Sequence, residues 1–135
     1  MKVEILLVED YTHPIDKVWA AITDPAALAQ WLMVNDFEPR IGKRFTLHAE
    51  PTAEWRGWMD CEVLEMEPPR RMVWSWHRSE LDEPTRVEFR LEPSAGGTRL
   101  TLMHTGESDP MARGRYSSGW PIKLSNLGSL LAKTD

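Results

Sequence analysis

The spacing of hydrophobic positions changes period several times along the chain, and each change marks a new element. Over residues 2 to 11, Val3, Ile5 and Leu7 alternate with Glu4, Leu6 and Val8, which suits a strand carrying apolar side chains on both faces near its middle. Thr12-His13-Pro14 then punctuates, Pro14 fits the first turn of a helix, and Ile15, Val18, Trp19 and Ile22 fall at i, i+3, i+4 and i+7. Asp24-Pro25 repeats the start signal, an N-cap acid followed by proline, and Leu28, Trp31 and Leu32 share one face of a second short helix.

From Gly42 the period falls to two, with Phe45 and Leu47 on one face and Arg44, Thr46 and His48 on the other. Trp55 to Glu67 reads as one long strand whose apolar set shifts from Trp55, Met59, Cys61 and Val63 to Leu64 and Met66, the signature of a bulge. On that strand Trp55 and Trp58 fall on opposite faces, which puts at least one of them at the surface or a rim. Met72, Trp74 and Trp76 alternate with Val73, Ser75 and His77, and Val87, Phe89 and Leu91 with Arg86, Glu88 and Arg90. Ala95-Gly96-Gly97 supplies a hairpin turn into a strand with Leu100, Leu102 and His104 on its inner face. Gly106 to Pro110 breaks the sheet, and Trp120, Leu124, Leu127 and Leu131 form a helical stripe that Pro121 either starts or kinks. The order strand, two short helices, a run of strands and a final helix predicts an α+β fold, a curved antiparallel sheet gripping the last helix.

Composition narrows the function. The 135 residues have room for one domain, taken as 1–135, with one sizeable core. A net charge of -5 with both signs interspersed leaves no basic stripe for nucleic acid or an anionic membrane. The longest apolar run, Val18 to Ile22, is too short for a signal segment or a membrane span, so a cytoplasmic location is expected. The one cysteine, Cys61, excludes an intramolecular disulfide, fits no Cys/His metal spacing, and reads as a small buried side chain. Short signatures of nucleotide-binding loops, zinc proteases and serine hydrolases are absent, and neither a metal nor a cofactor is expected.

Seven tryptophans are the unusual feature. Trp31, Trp74, Trp76 and Trp120 lie on different elements yet on predicted inward faces, with Phe89, Met72 and Leu124 beside them. Convergent rings of this kind line pockets for flat apolar molecules as well as filling cores. Met59 and Leu102 fall on the same inward faces, and His104 is predicted at the mouth of such a pocket, in reach of a ligand. Trp19 belongs to the stripe of Ile15 and Ile22 and is expected in the core. Asp60 and Glu62 share a strand face and read as solvated surface, not as an acid pair for catalysis. Arg113 and Arg115 are expected in an exposed loop, with closure over an anionic ligand as the alternative.

Several segments together carry a family resemblance: His13-Pro14 through Val18-Trp19, Thr23-Asp24-Pro25, Trp31, the run from Val63 to Trp76, Gly97 to His104, and Gly119-Trp120-Pro121. Over roughly residues 8 to 132 this order resembles the branch of the SRPBCC superfamily typified by activators of a heat-shock-protein ATPase, relatives of START and polyketide-cyclase domains. Two positions depart from the family pattern, Gly42-Lys43 in place of a Gly-Gly turn and Cys61 where a glycine is expected in the third strand. The resemblance implies a helix-grip fold with a pocket between sheet and final helix, holding apolar, aromatic or lipid-like small molecules, and no shared catalytic triad. A binding protein is expected before an enzyme. The alternatives are a cyclase or dehydratase in which His104 moves protons, and a chaperone-associated stress-response adaptor; a homodimer is compatible with the resemblance.

Overall fold

In the computed structural model, residues 2–53, 55–80, 83–108 and 110–133 are described. Met1, Thr134 and Asp135, at the ends of the predicted 1–135 unit, lie outside them, as does Asp109 in the predicted sheet break. The elements run β1 (Lys2–Tyr11), α1 (Ile15–Thr23), α2 (Pro25–Trp31), β2 (Val34–Asn35), β3 (Arg44–His48), β4 (Trp58–Glu67), β5 (Arg71–His77), β6 (Thr85–Ser94), β7 (Gly97–Glu107) and α3 (Pro110–Lys133). The strands form one seven-stranded sheet in the order β1-β7-β6-β5-β4-β3-β2, antiparallel at every pairing. This is the predicted α+β helix-grip fold, with α3 lying against the sheet.

The two early helices follow their start signals. Asp24 caps α2 by accepting from the Ala27 N–H at 3.0 Å, and Pro25 occupies the first turn, where its missing N–H costs nothing. Pro14 stands one place earlier than predicted, at the N-cap of α1. The Ala95-Gly96 hairpin joins β6 to β7, with Gly96 at φ 82, and a Cβ on Gly97 would collide with the Tyr11 carbonyl oxygen.

Three expectations need correction. The strand predicted from Trp55 starts at Trp58, because Gly57 turns the chain at φ 102 and Trp55 pairs back to Thr52 in an isolated bridge. A short strand, β2, escaped notice, so Cys61 sits in the fourth strand. As expected, β1 carries apolar side chains on both faces; the outer ones, Leu6 and Val8, are exposed because α3 covers only the inner face. The segment holding Arg113 and Arg115 is the first part of α3, and Pro121 lies well inside that helix. The predicted bulge occurs where the pairing slips between Val63 and Glu65; Leu64 is exposed there, and Met66 returns to the inner side against Met72.

The core lies between sheet and helices. Val3, Leu47, Val63, Met72, Leu100 and Leu102 come to it from strands and Val18, Ile22 and Leu28 from α1 and α2. Tyr116, Trp120, Leu124, Leu127 and Leu131 come from one stripe of α3. Tyr11 ties β1 to that helix through its hydroxyl, which donates to the Leu124 carbonyl at 2.8 Å. Among the described residues no helix is long and apolar enough to cross a membrane.

Candidate functional site

Most of the space between sheet and α3 is filled with rings. Phe37 meets Phe45 edge-on at 5.1 Å, Phe45 meets Trp74 at 5.1 Å, and Trp74 meets Phe89 at 4.8 Å. Phe89 continues to Trp120 at 6.2 Å and Trp120 to Trp76 at 5.3 Å. Edge-to-face geometry at such separations adds attraction beyond the area buried. The filling stops at one end of the sheet, where the end of α2, the start of β4, the end of β5 and the first half of α3 surround a cavity of about 160 Å³. Its apolar wall is Leu32, Met33, Trp55, Met59, Trp76, Tyr116 and Trp120. Gly119, Arg78, Arg115 and Lys123 complete the lining.

Of the residues singled out by sequence, Met59, Trp76 and Trp120 line this cavity, joined by Trp55, one of the two tryptophans expected between surface and rim, and by Arg115, the alternative contact for an anionic ligand. The others lie deeper. Trp31 is buried, its indole N–H donating to the Ala21 carbonyl at 2.9 Å, and so braces α2 on α1. Met72, Trp74, Phe89, Leu102 and Leu124 are fully or almost fully enclosed in the core beside the cavity. Trp19 is partly buried and packed on that core, and Trp58 lies at the surface beneath the Arg56 guanidinium, 4.4 Å from its ring.

His104 is not at a mouth. It has no exposed surface, and both ring nitrogens are engaged. Trp120 donates its indole N–H to Nδ1 at 3.0 Å, which leaves the proton on Nε2, facing the Thr85 hydroxyl at 2.7 Å; that hydroxyl donates to the Trp76 carbonyl at 3.1 Å. Burial pushes its pKa down to about 4, so the ring is neutral at ordinary pH. Tyr116 lies against it, ring centroids 4.4 Å apart. The imidazole thus holds Trp120 from behind by a hydrogen bond and meets the Trp76 ring edge-on at 5.6 Å, while Thr85 links it to the Trp76 backbone.

Sequence reasoning missed Leu32, Met33, Arg78, Tyr116, Gly119 and Lys123 as cavity residues. The signal on α3 was present: Arg115, Gly119 and Lys123 are spaced by four, a ridge alongside Tyr116, Trp120 and Leu124. Gly119 leaves open space, since a Cβ built on it meets nothing within 4 Å. Lys123 reaches across to α2 and donates to the Leu32 carbonyl at 2.9 Å. The indole N–H groups of Trp55 and Trp76 are buried without an acceptor among the described residues; Trp74, away from the cavity, shares that condition. Cys61 is buried, and burial raises its thiol pKa well above the usual range, so it is unsuited to nucleophilic work. Asp60 is exposed and pairs with Arg56 at 2.9 Å. No cluster of described His, Cys, Asp and Glu residues has the makings of a metal site.

Comparison with known proteins places this architecture. The chain is similar over its whole length to protein MLL2253 of Mesorhizobium loti, with 34% identity, a TM-score of 0.84 and 98% of each chain covered. It is similar to CalU16 of Micromonospora echinospora at 30% identity and a TM-score of 0.80, covering 95% of this chain and 75% of that one. Protein BH1534 of Bacillus halodurans shares the fold at 24% identity and a TM-score of 0.79, over 95% and 96% of the two chains. No curated protein matches significantly. The family model described as activator of Hsp90 ATPase homolog 1-like protein matches residues 12–132, nearly the whole chain, and the protein belongs to that family, within the SRPBCC superfamily.

Proposed function

We propose that this protein binds a small, flat, apolar molecule of one or two rings in the cavity at the open end of the sheet. The observation that carries the reading is that the ring-filled interior stops short there, leaving about 160 Å³ walled by Trp55, Trp76 and Trp120. A dry apolar cavity of similar size in another protein takes benzene, and an open side gives a second ring somewhere to go. Burying roughly 200 Å² of ring surface at about 25 cal/mol per Å² contributes about 5 kcal/mol, a dissociation constant on the order of 0.1 mM before further contacts. A proton-transfer role for His104 finds no support in this geometry: its neutral ring is spent on Trp120 and Thr85. Met59, Trp76 and Trp120 are the ligand contacts of this reading, and the deeper aromatic residues shape the wall.

Gly119 supplies the test. A leucine there extends into the cavity, while replacing a helical glycine favours α3 by about 1 kcal/mol. Titration with a panel of one- and two-ring aromatics is expected to quench wild-type tryptophan emission saturably and raise the melting midpoint. Gly119→Leu is expected to fold normally and respond to none of them. Unchanged binding by the variant would exclude this cavity as the site.

A further inference from the structure

We infer that the molecule bound at this cavity is an anion, specifically a one- or two-ring aromatic carboxylate held with its rings against Trp76 and Trp120 and its carboxylate toward Arg78 and Arg115. The inference rests on the cavity being a binding site and adds the chemical class of its occupant. Its first support is the sign of the lining. The chain as a whole carries a net charge of -5, yet among the described residues that line the cavity three are cationic and none is acidic.

The second support is that the polar side of the lining is rich in donors. Arg78, Arg115 and Lys123 bring guanidinium and ammonium N–H groups. Apart from the Tyr116 hydroxyl, which both donates and accepts, no side chain among the described lining residues is a conventional oxygen acceptor. A protonated amine is repelled by such a wall and an alcohol meets it with one neutral oxygen, whereas a carboxylate brings two acceptor oxygens and the opposite charge. Lys123 donates to the Leu32 carbonyl and offers a point charge where the arginines offer planar forks, so the recognition falls mainly to the arginines. A guanidinium has five donors in a planar fork, enough to keep an interaction within the protein and still meet a carboxylate. The third support is placement: Arg115 lies one helical turn before Gly119, and Arg78 follows β5 two residues after Trp76, so charge and ring contact come from the same two elements.

Calorimetric titration of naphthalene-2-carboxylate and its neutral isostere naphthalene-2-carboxamide into wild type, Arg78→Gln and Arg115→Gln tests this. In wild type the carboxylate is expected to bind about tenfold or more tightly than the amide, the usual return on a charge-assisted hydrogen bond, with the margin shrinking as salt is added. In each glutamine variant the margin should narrow while amide affinity stays within about twofold. Equal binding of the two compounds by wild type would overturn the anion assignment and leave the apolar site standing. A preference that survives both substitutions would remove Arg78 and Arg115 from the assignment. Binding of neither compound would overturn the inference together with the reading beneath it.

Discussion

Protonating His104 in place would put a charge where the side chain has no exposed surface and turn the nitrogen that accepts from Trp120 into a second donor. Its folded pKa is therefore lowered, from 6.5 to about 4, and the unfolded chain binds the proton more tightly. The contribution is full above pH 6.5 and is lost as pH falls toward 4, a total of about 3 kcal/mol. Denaturant titrations of wild type and His104→Phe should show the slope in wild type and a nearly flat profile in the variant between about pH 5.5 and 6.5, above the range where the carboxylates titrate. Two-residue alternation was enough to read His104 as inward-facing. Its depth depends on Tyr116 and Trp120 lying over it, and that contact belongs to a helix distant in sequence.

At the level of elements, the bulge at Leu64 keeps Met66 on the inner face and puts Glu65 outside, beside Arg71 and Arg86. Arg71, on β5, bonds Glu65 at 2.6 Å, Glu67 at 3.0 Å and the nearly buried Glu88 of β6 at 3.3 Å. Burial alone would raise the Glu88 pKa, and hydrogen bonds from Arg90 and Arg71 outweigh it, leaving the carboxyl below its usual value. Arg71→Met is expected to destabilise by about 2 kcal/mol, measured by urea unfolding, because it strips a buried carboxylate of a partner. Adding Glu88→Met should recover most of that loss. The bulge was legible because two alternating patterns of opposite phase meet at one residue. The first half of α3 was not: Gly114, Gly119 and Pro121 lower its helix propensity, and packing against the sheet decides the matter instead. With that half-helix unread, Tyr116, Gly119 and Lys123 stayed out of the candidate site, and Arg115 entered it only as the alternative reading of a loop residue.

For the whole molecule, the main consequence of the ring-filled interior is a size limit. One- and two-ring aromatics should raise the melting midpoint in thermal-shift measurements and palmitate should leave it unmoved, since a long acyl chain would have to displace Trp74 or Phe89 from the core. The fold was legible almost entirely, because sheet, grip and helix order follow from period and punctuation. The inward set of aromatics was legible too, but alternation reports facing and not fill. Trp74 and Trp76 share a face of β5, and whether rings from β3 and the segment before it cover either one is decided by Phe45 and Phe37, which tile Trp74 alone. That tiling has an optical side. From Phe37 through Trp74 and Phe89 to Trp120 and Trp76 each ring lies within 6.2 Å of the next. Trp76 and Trp120 are inclined at 49° to each other, so their transition dipoles couple and excitation passes between them. Trp74 and Trp120 flank the same phenylalanine, close enough for their indole dipoles to couple directly through space, so light absorbed by the enclosed Trp74 can reach the cavity wall, and an occupant touching only the last two indoles would darken a tryptophan it never reaches.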